Sequence, residues 1–204
     1  MKQTFRALFA PLAFAATTAL AAVPAAAEVV PLATLSQYLN GLGTVQAQFT
    51  QTNDDGSTSS GNVTIKRPGR IKLDYPADKT MVMGSGGQVA IFDGKSNEAP
   101  TRFPMATTPL NLILARDIDL TTSRMVTAHQ EVNGDTMVRA QDPDHPEYGS
   151  IDLYFGGNPL VLKAWVVNDD AGGATTVQLT QMSLGGSVSD RLFNIRAEMS
   201  ARGF

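Results

Sequence analysis

Arg67 is the residue whose type and position hold the most chemistry. Val63 and Ile65 alternate with Asn62, Thr64 and Lys66, the period of a half-buried strand, and that period puts Arg67 on the apolar side just before Pro68-Gly69. A guanidinium in that place needs acceptors on a facing element, because an uncompensated buried charge costs several kcal/mol. Free carbonyls of a segment lying over the sheet would suit its planar fork of donors, and would make it a latch. If the strand ends earlier, Arg67 belongs instead to a solvated basic turn with Lys66, Arg70 and Lys72. Periodicity alone leaves both readings open.

The remaining polar clusters point away from catalysis. Asp142, Asp144, His145 and Glu147 fall within six residues, but Pro143 and Pro146 oppose their convergence on a metal, so the segment reads as a solvated turn. Asn53-Asp54-Asp55-Gly56 begins like a calcium loop and lacks the glutamate that would complete one, so it reads as a hairpin turn. His129 has no second histidine at ligand spacing and reads as structural. The chain holds no G-x-S-x-G elbow, no Walker loop, no G-x-G-x-x-G opening a helix after a strand, and no H-E-x-x-H. It has no cysteine, which excludes disulfides, thiolate zinc, cysteine nucleophiles and a lipidated N-terminal cysteine. We therefore expect no catalytic residue, no metal and no cofactor. With 16 basic against 19 acidic residues there is no cationic excess for a nucleic acid.

These residues must be positioned by strands. Val45, Ala47 and Phe49 alternate with Gln46, Gln48 and Thr50, and similar runs follow: Ile71, Leu73 and Tyr75; Met81 and Met83; Val89 and Ile91; Val126 and Ala128; Ile151, Leu153 and Phe155; Leu160 to Val167; Val177 and Leu179. Turn residues such as Pro68-Gly69, Asn133-Gly134 and Gly185-Gly186 separate them at hairpin intervals, which predicts an antiparallel sheet, strongly curved or closed. Two helices are expected. Pro31 to Asn40 carries Leu32, Leu35, Tyr38 and Leu39 at helical spacing and is closed by Gly41. Thr108-Pro109 opens a second, short helix with Leu110, Ile113 and Leu114 on one greasy face. That second helix either closes over the sheet as a flap or simply fills out the core. The seven methionines after residue 27, among them Met81 and Met83 on one strand face, suit a pocket of variable outline, and they also fill ordinary cores, which is the commoner use.

Residues 1–27 read as a cleaved secretory signal: Lys2 and Arg6, an apolar stretch from Ala7 to Ala22, then Ala25-Ala26-Ala27. Their removal would leave 177 of the 204 residues and, with two basic and no acidic residues lost, a formal charge of −5 instead of −3. No repeat or linker divides residues 28–204, which are expected to form a single domain, exported to the periplasm.

Several runs carry a family likeness. Val45-Gln-Ala-Gln-Phe49-Thr-Gln51, Gly61-Asn-Val-Thr-Ile-Lys66-Arg67-Pro68-Gly-Arg70, Asp74-Tyr75-Pro76, Gly86-Gly87-Gln-Val-Ala-Ile-Phe92-Asp93 and Thr108-Pro109-Leu-Asn-Leu-Ile-Leu114-Ala115 resemble the periplasmic lipoprotein carrier family of the LolA type. The likeness covers Val45 to Ala115 well and the later strands by pattern. It implies a mainly β fold with a few short helices: an incomplete, unclosed antiparallel β-barrel covered by a helical lid. The implied function is to carry the acyl chains of lipoproteins from the inner to the outer membrane. On this resemblance Arg67 is the lid latch, Pro109, Leu110, Ile113 and Leu114 form a lid helix, and Phe49, Val63, Ile65, Leu73, Met81, Met83, Val89 and Ile91 line the acyl-chain cavity. The implied partners are acylated lipoproteins, an inner-membrane lipoprotein-releasing ABC transporter, and an outer-membrane acceptor or the outer membrane itself, met by a monomer. Two departures bear on partner contacts. Leu73 is aliphatic where the family carries an aromatic residue nearby, and the tail after Phe193 is short.

The alternative is a periplasmic regulatory protein that senses lipoproteins with the same fold. A hydrolase using His129 or His145 is a third reading, which loss of turnover on replacing both would reveal.

Overall fold

A computed structural model describes residues 28–204, so the export-signal reading of residues 1–27 lies outside the described residues. Among the described residues, three α-helices, α1 (Leu32–Gly41), α2 (Leu110–Leu114) and α3 (Ile195–Ala201), accompany eleven strands. The first strands are β1 (Thr44–Thr52), β2 (Thr58–Lys66), β3 (Arg70–Tyr75), β4 (Thr80–Ser85), β5 (Gln88–Phe92) and β6 (Thr101–Pro104). After α2 come β7 (Val126–Val132), β8 (Asp135–Gln141), β9 (Ser150–Gly156), β10 (Val161–Asn168) and β11 (Ala174–Leu184).

All eleven strands form one antiparallel sheet in the order β6-β5-β4-β3-β2-β1-β11-β10-β9-β8-β7. Two meanders are thus joined where β11 returns beside β1. The two ends of the sheet, β6 and β7, are consecutive in the chain and do not pair, so the barrel is unclosed. The connection between them carries α2.

Register decides which side chains face inward. Val45, Ile65 and Ile71 stand in one cross-strand row, and Ala47, Val63 and Leu73 in the next. Their inward side chains meet Leu35 and Leu39 of α1 and Ile113 and Leu114 of α2 in one buried cluster. Each of these large aliphatic side chains withdrawn from water is worth roughly 1.5–3 kcal/mol. Close approach between strands depends on Gly61, which pairs with Phe49. A Cβ there would lie 1.9 Å from the Asp74 carbonyl oxygen and 3.0 Å from the Phe49 ring, so only glycine lets β2 approach β3 under the aromatic side chain. Among the described residues, no helix is long and apolar enough to cross a membrane.

The third helix is a correction to the expectation of two. Asn194 caps α3 by accepting from the Ala197 N–H at 2.9 Å, and Ile195 and Met199 pack on the outer, convex face of the sheet. Arg202 follows, its guanidinium 5.0 Å over the Phe92 ring and bonded to Glu198 at 2.9 Å. The short tail is therefore a docked arm.

Candidate functional site

Four elements assemble around the turn between β2 and β3. The Arg67 guanidinium points toward the segment after α2, where its Nη2 donates to the Ala115 carbonyl at 2.5 Å, with longer contacts of 3.4 Å to Asn40 Oδ1 and the Arg116 carbonyl. Its own backbone N–H donates to Gly43 O at 2.8 Å, and the Gly69 N–H donates to Leu114 O at 2.9 Å. The acceptors make sense locally. A helix as short as α2 leaves its last carbonyls without intrahelical partners, and these are the groups that the turn engages. Among the described residues, Arg67 Nε and Nη1 are buried without a partner. Burial lowers the Arg67 pKa from its usual value, opposed by the Asp117 carboxylate, and the group remains a cation at neutral pH. Of the two placements open to Arg67, the structure has the one turned to the facing segment.

The lid itself is one connected body. Asn40, at the end of α1, donates to Ile118 O at 2.7 Å and accepts from Ile118 N–H at 3.0 Å, while Ser36 Oγ accepts from Leu120 N–H at 2.9 Å. These bonds tie α1 to the chain leaving α2. On the other half of the sheet, Tyr38 Oη accepts from Leu162 N–H at 2.9 Å, beside the bulge where β9 and β10 change register, and its ring meets Phe155 edge-on at 6.0 Å. Burial raises the Tyr38 pKa, a shift the Leu162 hydrogen bond opposes. The chain entering α1 is held through Val30, whose N–H donates to Thr136 Oγ1 at 2.8 Å and whose carbonyl lies 2.9 Å from His129 Nε2. His129 thus sits in a structural contact, and His145 pairs with Glu147 at 2.9 Å while Asp144 meets Arg124 at 3.0 Å.

Of the expected cavity residues, Phe49, Val63, Ile65, Leu73 and Val89 share the buried cluster with Ile113 and Leu114. Leu110 packs against that cluster half-buried, and Pro109 stands immediately before α2. Three residues depart. Met81 and Met83 face the convex side, in a second cluster with Ala90 and Phe92 beneath Ile195 and Met199. The reason is register: Val82 pairs with Leu73 and Gly84 with Ile71, so these two turn inward and the methionines outward. Ile91 lies in the inward row with Leu73 and Val82 but is 37% exposed, since it stands near the free end of the sheet beyond the lid.

An unclosed antiparallel sheet whose concave face is covered by two helices defines a lidded half-barrel. The family model described as outer membrane lipoprotein carrier protein LolA matches residues 40–196, so the chain belongs to the LolA family. An outer-membrane lipoprotein carrier protein from Methylococcus capsulatus is 34% identical over 73 residues, 33% of this chain and 35% of that protein; the match spans about a third of the relative's length. Among solved structures, a putative outer membrane lipoprotein-sorting protein domain from Vibrio parahaemolyticus superposes with a TM-score of 0.50 at 10% identity, covering 82% of this chain and 97% of that one. A LolA superfamily protein from Nitrosomonas europaea gives 0.45 at 10% identity, over 81% and 98% of the two chains.

The connections within the lid were not visible in the sequence. Ser36 and Asn40 are two of four polar side chains on α1, with Thr34 and Gln37, and nothing in their spacing sets them apart; their partners are backbone groups about 80 residues away.

Proposed function

We propose that this protein is a periplasmic carrier of acylated lipoproteins, receiving them from an inner-membrane lipoprotein-releasing ABC transporter and passing them to an acceptor at the outer membrane. The acyl chains enter between the concave face and the lid, where Phe49, Val63, Ile65, Leu73 and Val89 would exchange contacts with Ile113 and Leu114 for contacts with the cargo. Arg67 acts as the latch. The observation that carries this reading is the seam itself: apolar side chains meet across it, and on the β2–β3 side it is held by a few hydrogen bonds around Arg67 and Gly69.

The energetics fit such a role. About 0.8 kcal/mol per buried methylene keeps a multiply acylated protein from crossing water alone. A closed state that fills the concave face with the protein's own lid competes with the cargo and so eases its release. The test is extraction: the purified mature protein, incubated with inner membranes bearing a triacylated lipoprotein and the energised releasing transporter, should recover that lipoprotein in a soluble complex and deliver it to outer-membrane vesicles. A soluble fraction free of lipoprotein, with an active transporter and a folded carrier, would refute the proposal.

A further inference from the structure

The sheet has a free edge with opposite chemistry on its two faces. Strand β6 is the terminal strand, and all four of its residues are exposed. Its outer side therefore presents backbone groups that the sheet leaves unpaired. Successive side chains alternate. Phe103, paired with the inward-facing Val89, stands on the concave side and is 43% exposed. Arg102, paired with Ala90 of the outer cluster, stands on the convex side.

On that convex side a groove of about 590 Å³ runs between the edge and α3, with Gln88 and Arg102 on one flank and Arg196 and Met199 on the other. Among the described residues, neither Arg102 nor Arg196 forms an ion pair or a side-chain hydrogen bond. The acid that lines the groove, Asp190, is engaged by both Lys66 at 2.5 Å and Arg70 at 2.6 Å. The groove is thus cationic in a chain whose residues 28–204 carry a formal charge of −5.

We propose that this edge docks an extended segment of a protein partner whose residues alternate acidic and apolar. Added beside β6, such a segment pairs its backbone with the free edge. The two-residue period then sends its carboxylates to Arg102 and Arg196 and its apolar side chains to Phe103. The charge pattern selects an acidic occupant, and the hydrogen-bonding edge selects a strand over a membrane surface, which offers no backbone to pair. Four residues of edge, ended by Pro104, make this a short and reversible contact.

The probe is a fluorescein-labelled peptide, Gly-Glu-Val-Glu-Val-Glu-Thr-Gly, titrated with the full mature protein and followed by anisotropy. Binding is expected to weaken with salt and to be lost when alternate backbone nitrogens of the peptide are methylated. A peptide of the same composition with its acids clustered should bind at least about tenfold more weakly, and the Arg102→Glu/Arg196→Glu variant should lose about tenfold or more, the scale of one charge-assisted hydrogen bond. Circular dichroism of the variant keeps misfolding apart from lost binding, and a single Arg196→Gln variant, on the exposed side of α3, provides a milder second reading. Equal binding of the alternating, clustered and methylated peptides would overturn the proposal in favour of diffuse charge attraction. Arginine-dependent binding to phosphatidylglycerol vesicles without peptide binding would overturn it in favour of a membrane. A dimer abolished by the same substitutions, again without peptide binding, would overturn it in favour of a second copy of this chain. Because the readout involves no lipoprotein, its failure leaves the carrier reading untouched.

Discussion

Arg67 donates from Nη2 to the Ala115 carbonyl at 2.5 Å while its Nε and Nη1 are buried with no partner among the described residues. The contact therefore ties the β2–β3 turn to the segment after α2 without satisfying the group that makes it. A cation in this state adds little to net stability, because its desolvation opposes what one good hydrogen bond contributes. On the carrier reading proposed above, its effect is on which conformation is preferred.

For Arg67→Leu the expectation follows directly. The apolar side chain fits between sheet and lid and carries no orphaned donors, so the urea midpoint should be unchanged or should rise, by at most a few kcal/mol in unfolding free energy. Lipoprotein retained on the carrier should increase and lipoprotein delivered to acceptor membranes should fall, because closure no longer competes with cargo. Retention and delivery both at parental levels would show that Arg67 does not govern the lid.

Tyr38 anchors α1 to the opposite half of the sheet. Tyr38→Phe keeps the edge-on contact with Phe155 and leaves the Leu162 N–H without its acceptor, which should cost about 1–3 kcal/mol. Hydrogen exchange should localise the loss: the Leu162 amide and the amides of α1 lose protection, while those of β2 and β3 keep theirs.

How much of this was legible depends on whether a strand shows one apolar face or two. In β1 and β2 the alternation of Val45, Ala47 and Phe49, and of Val63 and Ile65, fixed the inward side without any partner. In β4, Met81, Val82 and Met83 are consecutive apolar residues, so a period of two has no phase. Only pairing with Leu73 and Ile71 shows that the methionines face outward. Helix α3, which covers them, was missed because Arg191, Arg196, Glu198 and Arg202 dominate the tail. The signal present was the Asn194 cap followed by Ile195 and Met199 at helical spacing. Arg67 stayed ambiguous because periodicity says which way a side chain faces only while the strand lasts, and its acceptors are backbone carbonyls that no side-chain pattern encodes.

Gly84 is placed less tightly than Gly61, and against side chains rather than backbone. A Cβ there would lie 2.8 Å from Ile71 Cγ2 and 2.9 Å from Met105 Cε, and both of those residues are buried. Gly84→Ala should destabilise by about 1–3 kcal/mol through overpacking. Gly61→Ala, which would drive Cβ into the Asp74 carbonyl oxygen, should cost more, since a backbone cannot swing aside as the end of a methionine can. Denaturant midpoints of the two variants, ordered the other way, would contradict this account of the close approach between β2 and β3.

Tyr75 links stability to alkaline pH. Its ring lies 5.0 Å from Phe49, edge-on, and its hydroxyl donates to Gln51 Oε1 at 2.6 Å. Burial, with a smaller push from the Asp78 carboxylate, raises its pKa from an ordinary value of 10.0 to about 12. A group whose pKa is higher folded than unfolded binds its proton more tightly in the native state. Its contribution is therefore complete below the unfolded value and is lost as pH rises toward the folded one. Unfolding free energy should accordingly decline between pH 10 and 12. In Tyr75→Phe the protein is less stable at pH 8, having lost the bond to Gln51, and its decline across the alkaline window should be shallower. Tyr38, also raised by burial, leaves a residual slope in that variant. Urea titrations at pH 8, 10 and 11.5 for parent and Tyr75→Phe check the expectation, and parallel alkaline losses in the two would show that the Tyr75 phenol does not sense the fold.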